Sequence, residues 1–545
     1  MLTAPDMRRR VQAIRKSGGK VVVLDPRLTE TARRSDEHHF IRPGSDALLL
    51  AAILHVIFER GLANCARADS VAKNISGLIE AVRTCTPRFA SAATGIAADE
   101  IVRMATEFAT AESAVCYGRM GLSTQPHGGV AQWLVQALNL ITGNLDRRGG
   151  LMFPEPAVSL VGRGSTRSRV ARWHSKVRGL PEHDGQLPVA ALAEEILTER
   201  DDRIRALVTH AGNPVLSTPN GRQLEKALAG LEYMVSIDIY LNETTRHADL
   251  ILPPACGLET EGYDLVFNAL AVRNVAKYSP ALFEPAAGAR LDWQILRELA
   301  RRLQRPDKGP LSRLQALIDR GLARISTPRR LLNLGLALGP HASWRKAFRS
   351  GVSLRRLELH PHGIDLGPLR PRLPGVLRTA DHKVDAAPEP LAKRLGEIIA
   401  NSTDESLVTN GSATFALIGR RHLRSNNSWM HQCPTLAKGK RRCTLLMHQA
   451  DARRLNLDDG TQVIVRSRVG QVQLPLEVTD DLLAGVVSMP HGFGHDRDGT
   501  RVSIAESSVG VSINDLTDEL VLDALTGNAA FSGQRVTVQP APQAS

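Results

Sequence analysis

Two kinds of hydrophobic pattern divide this chain. Up to about residue 300, short apolar runs rich in β-branched residues alternate with longer stretches in which apolar positions recur every three or four residues. KVVVLDPR (20–27), IRALVTH (204–210), YMVSIDI (233–239) and LIL (250–252) have the composition of buried parallel strands. Helices are predicted over about 5–17, with Thr3 as N-cap and Gly18-Gly19 as the stop, and over 45–61, a nearly all-apolar stretch between Ser45 and Gly61. Further helical patterns cover Val71–Arg83, Asp99–Ala109, Val130–Leu140 and Val189–Leu197. Alternating strands and helices predict an α/β fold with doubly wound sheets. From about Ser406 the period changes to two: Thr461–Arg468, Gln471–Val478, Val486–Met489 and Arg535–Val538 alternate as the strands of a small β-barrel. Between these parts, Asp292–Arg330 reads as basic helix and Leu359–Pro390 as a linker too rich in Pro and Gly for regular structure. Residues 151–188 read as a loop-rich excursion. The first helix is a crossover element with no strand before it, so an earlier part of its sheet is expected to be missing or supplied from elsewhere.

Charge changes the picture. The 545 residues carry a formal net charge of +13 with only 4% aromatic residues. Such a balance suits nucleic acid, an anionic membrane surface or an anionic cofactor. No stretch interleaves Arg or Lys with the aromatics that stack bases, so nucleic acid is set aside. The longest apolar run, Ala47–Phe58, is broken by His55 and falls short of the ~20 residues a membrane span needs. No membrane insertion is expected, and the first residues lack the apolar core of a signal peptide. The six cysteines are scattered without a CxxC pair, which argues against a zinc or iron–sulfur site and for a reducing, cytoplasmic setting.

Candidate chemistry lies in loops. RPGSD (42–46), GRMG (118–121) and AGNP (211–214) combine small residues with a following helix, which lets backbone N–H groups approach phosphates. The segment Glu232–Asn268 gathers Asp238, Asn242, Thr244, Thr245, His247 and Asp249 around two strands, where acids and hydroxyls can grip a nucleotide or simply cap the next helices. HGFGHD (491–496) sets two histidines around glycines after a buried strand and can line a pocket at the barrel mouth. There is no GxGxxG or Walker A sequence, and neither His38-His39 nor His422, His431 and His448 have metal-ligand spacing.

In this order, VVVLDPRLTETA (21–32), IRPGSDALL (41–49), YGRMGLSTQPHGG (117–129), LNLITGNLDRRGG (138–150), AGNPVLSTPN (211–220), VSIDIYLNETTRHADLILPPACGLETEGYDLVFN (235–268), LIGRRHLRSNNSWM (417–430), MHQADARRLNLDDGTQVIVRSRVG (447–470) and GNAAFSG (527–533) resemble the molybdopterin oxidoreductase superfamily of formate dehydrogenases, nitrate reductases and dimethyl sulfoxide reductases. The resemblance implies a bis(molybdopterin guanine dinucleotide) cofactor with molybdenum, held between two Rossmann-like domains and closed over by a C-terminal double-psi β-barrel. It divides the chain into 1–115, 116–305, a helical and linker region 306–405, and a barrel 406–545. Carried over by position, Asp25, Gly44 and Asp46 would follow one nucleotide, and Gly212, Asn213, Ser217, Asp238, Thr244 and Asp249 the other. Gly118, Met120 and Gly121 would border the pterin near the metal, while Arg420, His422, Ser425, Asn426, His491 and Asn514 would seal the pterins from the barrel. The family's [4Fe–4S] segment and the residue that ligates molybdenum would precede Met1, and none of the six cysteines takes that ligand's place. The chain is therefore expected to be N-terminally truncated and inactive alone, acting on a small-molecule substrate with an N-terminal complement or an electron-transfer partner. The alternative is a non-catalytic cofactor-binding or partner module from a split or degraded gene.

Overall fold

A computed structural model describes residues 6–159, 170–303, 327–342, 351–402, 413–506 and 510–542. The first part is built around the helix Asp46–Glu59, whose residues from Ala47 to Leu54 are all buried. A helix apolar on every side must be walled on every side. Pro87–Thr94, Ala98–Thr110 and Gly128–Ile141 supply the walls, joined by Leu395 and Ile398 of the helix Glu389–Asn401. Beside this core the strand Val22–Leu24 pairs in parallel with Glu37–His39. The second strand is polar, so apolar periodicity does not reveal it. Its charges are met from outside the sheet, where Arg103 bridges Glu37, Glu100 and Glu107 and the His38 ring bonds the Asp25 carbonyl at 3.0 Å.

The apolar segment Ser113–Tyr117 forms no strand. Side-chain amides take the place of a neighbour: Asn139 both accepts from Cys116 N and donates to Cys116 O, and Asn144 accepts from Ala114 N. The second sheet has three parallel strands, Ala206–His210, Tyr233–Ile237 and Leu250–Ile251.

The Pro-rich stretch between Leu359 and Pro390 is anchored at several points although most of it is exposed. Ile364–Gly367 pairs with Asn274–Ala276, and Val384–Asp385 pairs with Ala72–Lys73. Asp146 Oδ2 accepts the N–H groups of Arg372 and Leu373, and Trp133 Nε1 donates to Ala386 O at 2.9 Å. Within the basic region, Asp292–Leu303 and Pro328–Leu338 are helices, while 304–326 and 343–350 lie outside the described residues, as do 160–169 of the loop-rich excursion and the onset of the barrel at 403–412.

The C-terminal part is a closed barrel with the spatial order Thr414–Arg420, Val486–Pro490, Leu445–His448, Gln471–Thr479, Gln462–Arg466, Gln534–Pro540. Alternate residues such as Leu417, Leu445, Met447, Val463, Val465 and Val487 point inward and are fully buried, the period-two pattern made physical. Among the described residues, no helix is long and apolar enough to cross a membrane.

Candidate functional site

The loops singled out by sequence come from distant parts of the chain, and the barrel is what brings them to one seam. Pro26 O accepts from Leu483 N (3.0 Å) and Leu28 N donates to Asp481 O (2.7 Å). Gly533 lies against Pro43 of the RPGSD loop. Ser532 N donates to Thr124 O (3.2 Å), just past GRMG, and Gly129 N donates to Asp523 Oδ2 (2.8 Å). On the second sheet, Asn514 Nδ2 donates to Leu216 O (2.7 Å), Asn220 N to Thr517 O (2.9 Å) and Arg501 N to Leu241 O (2.8 Å).

At the first sheet, Asp25 ends the strand Val22–Leu24, and Asp46 opens the buried helix after Gly44, whose φ of 88° is left-handed and whose Cα faces open space. Although part of Asp46 reaches solvent, burial pushes its carboxyl up to about 6; the Asp25 charge adds to the rise and the Gln125 amide opposes it. Burial raises Asp25 as well, against the hydrogen bond from Arg27 N at 2.9 Å. Gln125 also donates to Gly121 O at 2.6 Å, so GRMG abuts the same acids. Gly121 faces open space, Met120 is half exposed, and Gly118 O accepts from Gln132 Nε2 at 3.3 Å.

At the second sheet, the polar groups are already paired. Asn213 Nδ2 donates to Glu243 Oε2 (2.6 Å), and Thr244 Oγ1 donates to Asn213 Oδ1 (2.7 Å) while accepting from Val215 N (3.1 Å). Asp238 accepts from Ile239 N, Tyr240 N and Asn242 Nδ2, holding its own loop. Gly212 and Asp238 stand at the carboxyl ends of their strands, with Ser217 exposed beyond them. Asp249 is not with them. It precedes the strand Leu250–Ile251 and accepts from Met234 N at 2.7 Å, at the opposite end of the sheet. His247, lowered to about 4 by burial and the Arg246 charge, is a poor proton acceptor at neutral pH.

In the barrel, Arg420 donates to Ser488 O and to Thr444 O and Oγ1, and burial draws its guanidinium down to about 10. His491 N donates to Arg420 O, and burial with the Arg421 charge takes its ring to about 4. His422 is lowered by burial and three nearby arginines, and Ser425 Oγ donates to His422 O. Asn426, exposed at φ 40°, turns the chain here. Asn514 is fully buried, its amide shared between Leu216 O and Thr517 Oγ1. Thus Gly44, Asp46, Gly121, Met120, Ser217 and Asn426 reach solvent or open space, Thr244, Ser425 and Asn514 are buried and brace the walls, and Asp249 is exposed away from the site.

Sequence reasoning missed a buried line of Glu243, His495 and His431, joined through 2.7 Å contacts. The HGFGHD loop was its visible signal; Glu243 and His431, far away in sequence, gave none.

Two parallel sheets whose loops are closed over by a six-stranded barrel make this a mixed α/β protein with a C-terminal barrel, and the chain belongs to the molybdopterin oxidoreductase family. The profile of that family, described as Molybdopterin oxidoreductase, matches residues 3–302, and that of the Molydopterin dinucleotide binding domain matches 415–534. Among similar proteins, the F420-dependent formate dehydrogenase subunit alpha of Methanocaldococcus jannaschii is 26% identical over 90% of this chain and 70% of its own length. Formate dehydrogenase H of Escherichia coli is 30% identical over 54% of this chain and 42% of its own length. The assimilatory nitrate reductase catalytic subunit of Bacillus subtilis is 27% identical over 52% and 42%. Acetylene hydratase from Pelobacter acetylenicus shares the fold, with a TM-score of 0.71 at 18% identity, covering 98% of this chain and 76% of that one.

Proposed function

We propose that the chain binds molybdopterin guanine dinucleotide in its bis form, and that it serves a formate dehydrogenase- or nitrate reductase-like oxidoreductase. The observation that carries this reading is the convergence of the 25–28, 42–46, 118–129, 211–220 and 238–247 loops on the barrel. The groups present suit the cofactor chemically. Open glycine backbones at Gly44 and Gly121 admit phosphate oxygens, and the acids Asp25 and Asp46 can accept from a guanine N–H edge. A carboxyl pushed up by burial gains by receiving such a donor. Asn213, Ser217 and Asp238 hold the second nucleotide, and Arg420, His422 and His491 offer a cationic or donor rim to the pterins.

Bound there, the cofactor supplies two-electron redox chemistry at molybdenum. The chain's own residues orient it and exclude water. Burial pushes the thiols of Cys85 and Cys116 up to about 12 and raises Cys443, so these three are poorly suited to supply a thiolate to a metal. We expect the polypeptide to work with an electron-transfer partner, as the alpha-subunit names of its formate dehydrogenase relatives suggest. Exposed free thiols at Cys65 and Cys256 favour a reducing cytoplasmic setting. Acid hydrolysis of protein purified from a host that makes the cofactor should release GMP, with molybdenum present in the same fraction. Protein that releases no guanine nucleotide and carries no molybdenum would overturn the reading.

A further inference from the structure

At the seam between the second sheet and the barrel, a buried hydrogen-bonded line runs on from Asn213, and its members beyond Asn213 have no part in the cofactor binding proposed above. Asn213 Nδ2 donates to Glu243 Oε2 at 2.6 Å, Glu243 Oε1 meets His495 Nδ1 at 2.7 Å, and His495 Nε2 meets His431 Nδ1 at 2.7 Å. Glu243 is 0% exposed, His495 5% and His431 8%. The far nitrogen, His431 Nε2, is buried and has no hydrogen-bond partner among the described residues. Phe493 packs against the His431 ring at 4.5 Å, and the loop that carries His495 is pressed onto Asn427 and Ser512 at Gly492 and Gly494.

The proton positions follow from what each atom can do. A carboxylate accepts, so His495 Nδ1 carries hydrogen. Two states then remain. When His495 is neutral, its Nε2 is a lone pair, His431 Nδ1 carries the hydrogen, and His431 Nε2 is a bare acceptor. When His495 is an imidazolium, its Nε2 donates, His431 Nδ1 accepts, and His431 Nε2 carries the hydrogen. One proton separates the two states; its charge sits beside Glu243 while its chemical effect appears at His431.

We propose that Glu243, His495 and His431 form a proton relay. An N–H- or O–H-bearing group seated against His431 Nε2 gives up its proton there, breaking its own bond to hydrogen. The Nδ1 proton of His431 passes to His495 Nε2, and the charge is held as His495 imidazolium against the Glu243 carboxylate. The donor is left as its conjugate base, no electrons are transferred, and the chain gains one positive charge.

The surroundings favour passage over storage at His431. Burial, with the charges of His495, Arg442 and His422, drives His431 to about 4, Glu243 acting in the opposite sense, so a full charge does not settle there. Burial alone would raise Glu243, but its hydrogen bond and charge interaction with His495, with the Asn213 amide, hold the carboxyl below its usual value, ready as counter-charge. The relay belongs to the chain itself; the donor's identity as the N–H edge of a bound heterocycle rests on the cofactor reading above.

The test is a ¹⁵N NMR titration of the full chain labelled at histidine, free of cofactor, from pH 9 to pH 5, with His431→Gln and His495→Gln providing the assignments. At high pH, His431 should show a pyrrole-like Nδ1 and a bare Nε2. On acidification, one step should protonate His431 Nε2 and leave both nitrogens of His495 protonated. Glu243→Gln should move that step down by about two pH units, the size of a lost buried counter-charge. A protonated His431 Nε2 at pH 9, a step confined to His431, or a Glu243→Gln variant titrating at the wild-type pH would each overturn the relay. The wild-type titration decides the matter if that variant does not fold. In cofactor-loaded chain the step should move by at least about half a unit. An unmoved step overturns the assignment of the donor, while absence of GMP on hydrolysis overturns the cofactor reading and leaves the relay standing.

Discussion

The two sheet ends that face the barrel solve the same problem in opposite ways. Around Asp25 and Asp46 two acids crowd a glycine turn, with burial and mutual repulsion pushing the Asp46 carboxyl to about 6. Around Asn213 and Thr244 each polar atom has a partner from a neighbouring loop, and the carboxylate of Glu243 is held low. The first end keeps its acids above their usual range despite the Gln125 amide and Arg27 N, whereas the polar groups of the second are already paired. Under the cofactor reading proposed above, this asymmetry would leave one end preorganised while the other draws free energy from ligation.

The comparison breaks most severely at its shared wall. Gly492 has φ 91°, and a Cβ there would sit 2.3 Å from Asn427 O, so Gly492→Ala should destabilise the chain by about 3 kcal/mol or more in chemical denaturation. Next comes Asp46. Its folded pKa lies above the unfolded value, so its stability contribution is intact below about pH 4 and is lost as pH rises through about 6. Asp46→Asn should thus stabilise the cofactor-free chain on the order of 2 kcal/mol at pH 7.5, with the gain vanishing near pH 4. An unfolding midpoint unchanged by pH would show that the first end is not strained. The smallest effect belongs to Asp249→Ala, which removes one hydrogen bond to Met234 N and should cost about 1 kcal/mol. Because Asp249 lies at the far end of the sheet from Asp238, that variant should retain its guanine nucleotide in full, and loss of nucleotide would move Asp249 back into the grip.

Much of this was legible in sequence where a physical pattern was local. The helix Asp46–Glu59 announces itself by unbroken apolarity, and the barrel strands by alternation. The strand Glu37–His39 was hidden because its partners are ion pairs and not a core. Asp238 and Asp249 looked alike as acids flanking strands, yet in parallel strands the residue that follows one and the residue that precedes the next lie at opposite ends of the sheet, a distinction chain order already carried. The relay was hidden for a related reason: Glu243, His431 and His495 meet through tertiary packing, and each alone reads as an ordinary residue.

The Pro-rich stretch and the helix Glu389–Asn401 that return to the first core bear on how this protein is made. The helix Asp46–Glu59 is translated before part of its cover, since Leu395 and Ile398 emerge from the ribosome only after both sheets have been synthesised. Trp133 and Asp146 likewise wait for Ala386, Arg372 and Leu373. Between those two points of its synthesis a nascent chain of this topology carries an unfinished apolar surface, a natural client for chaperones.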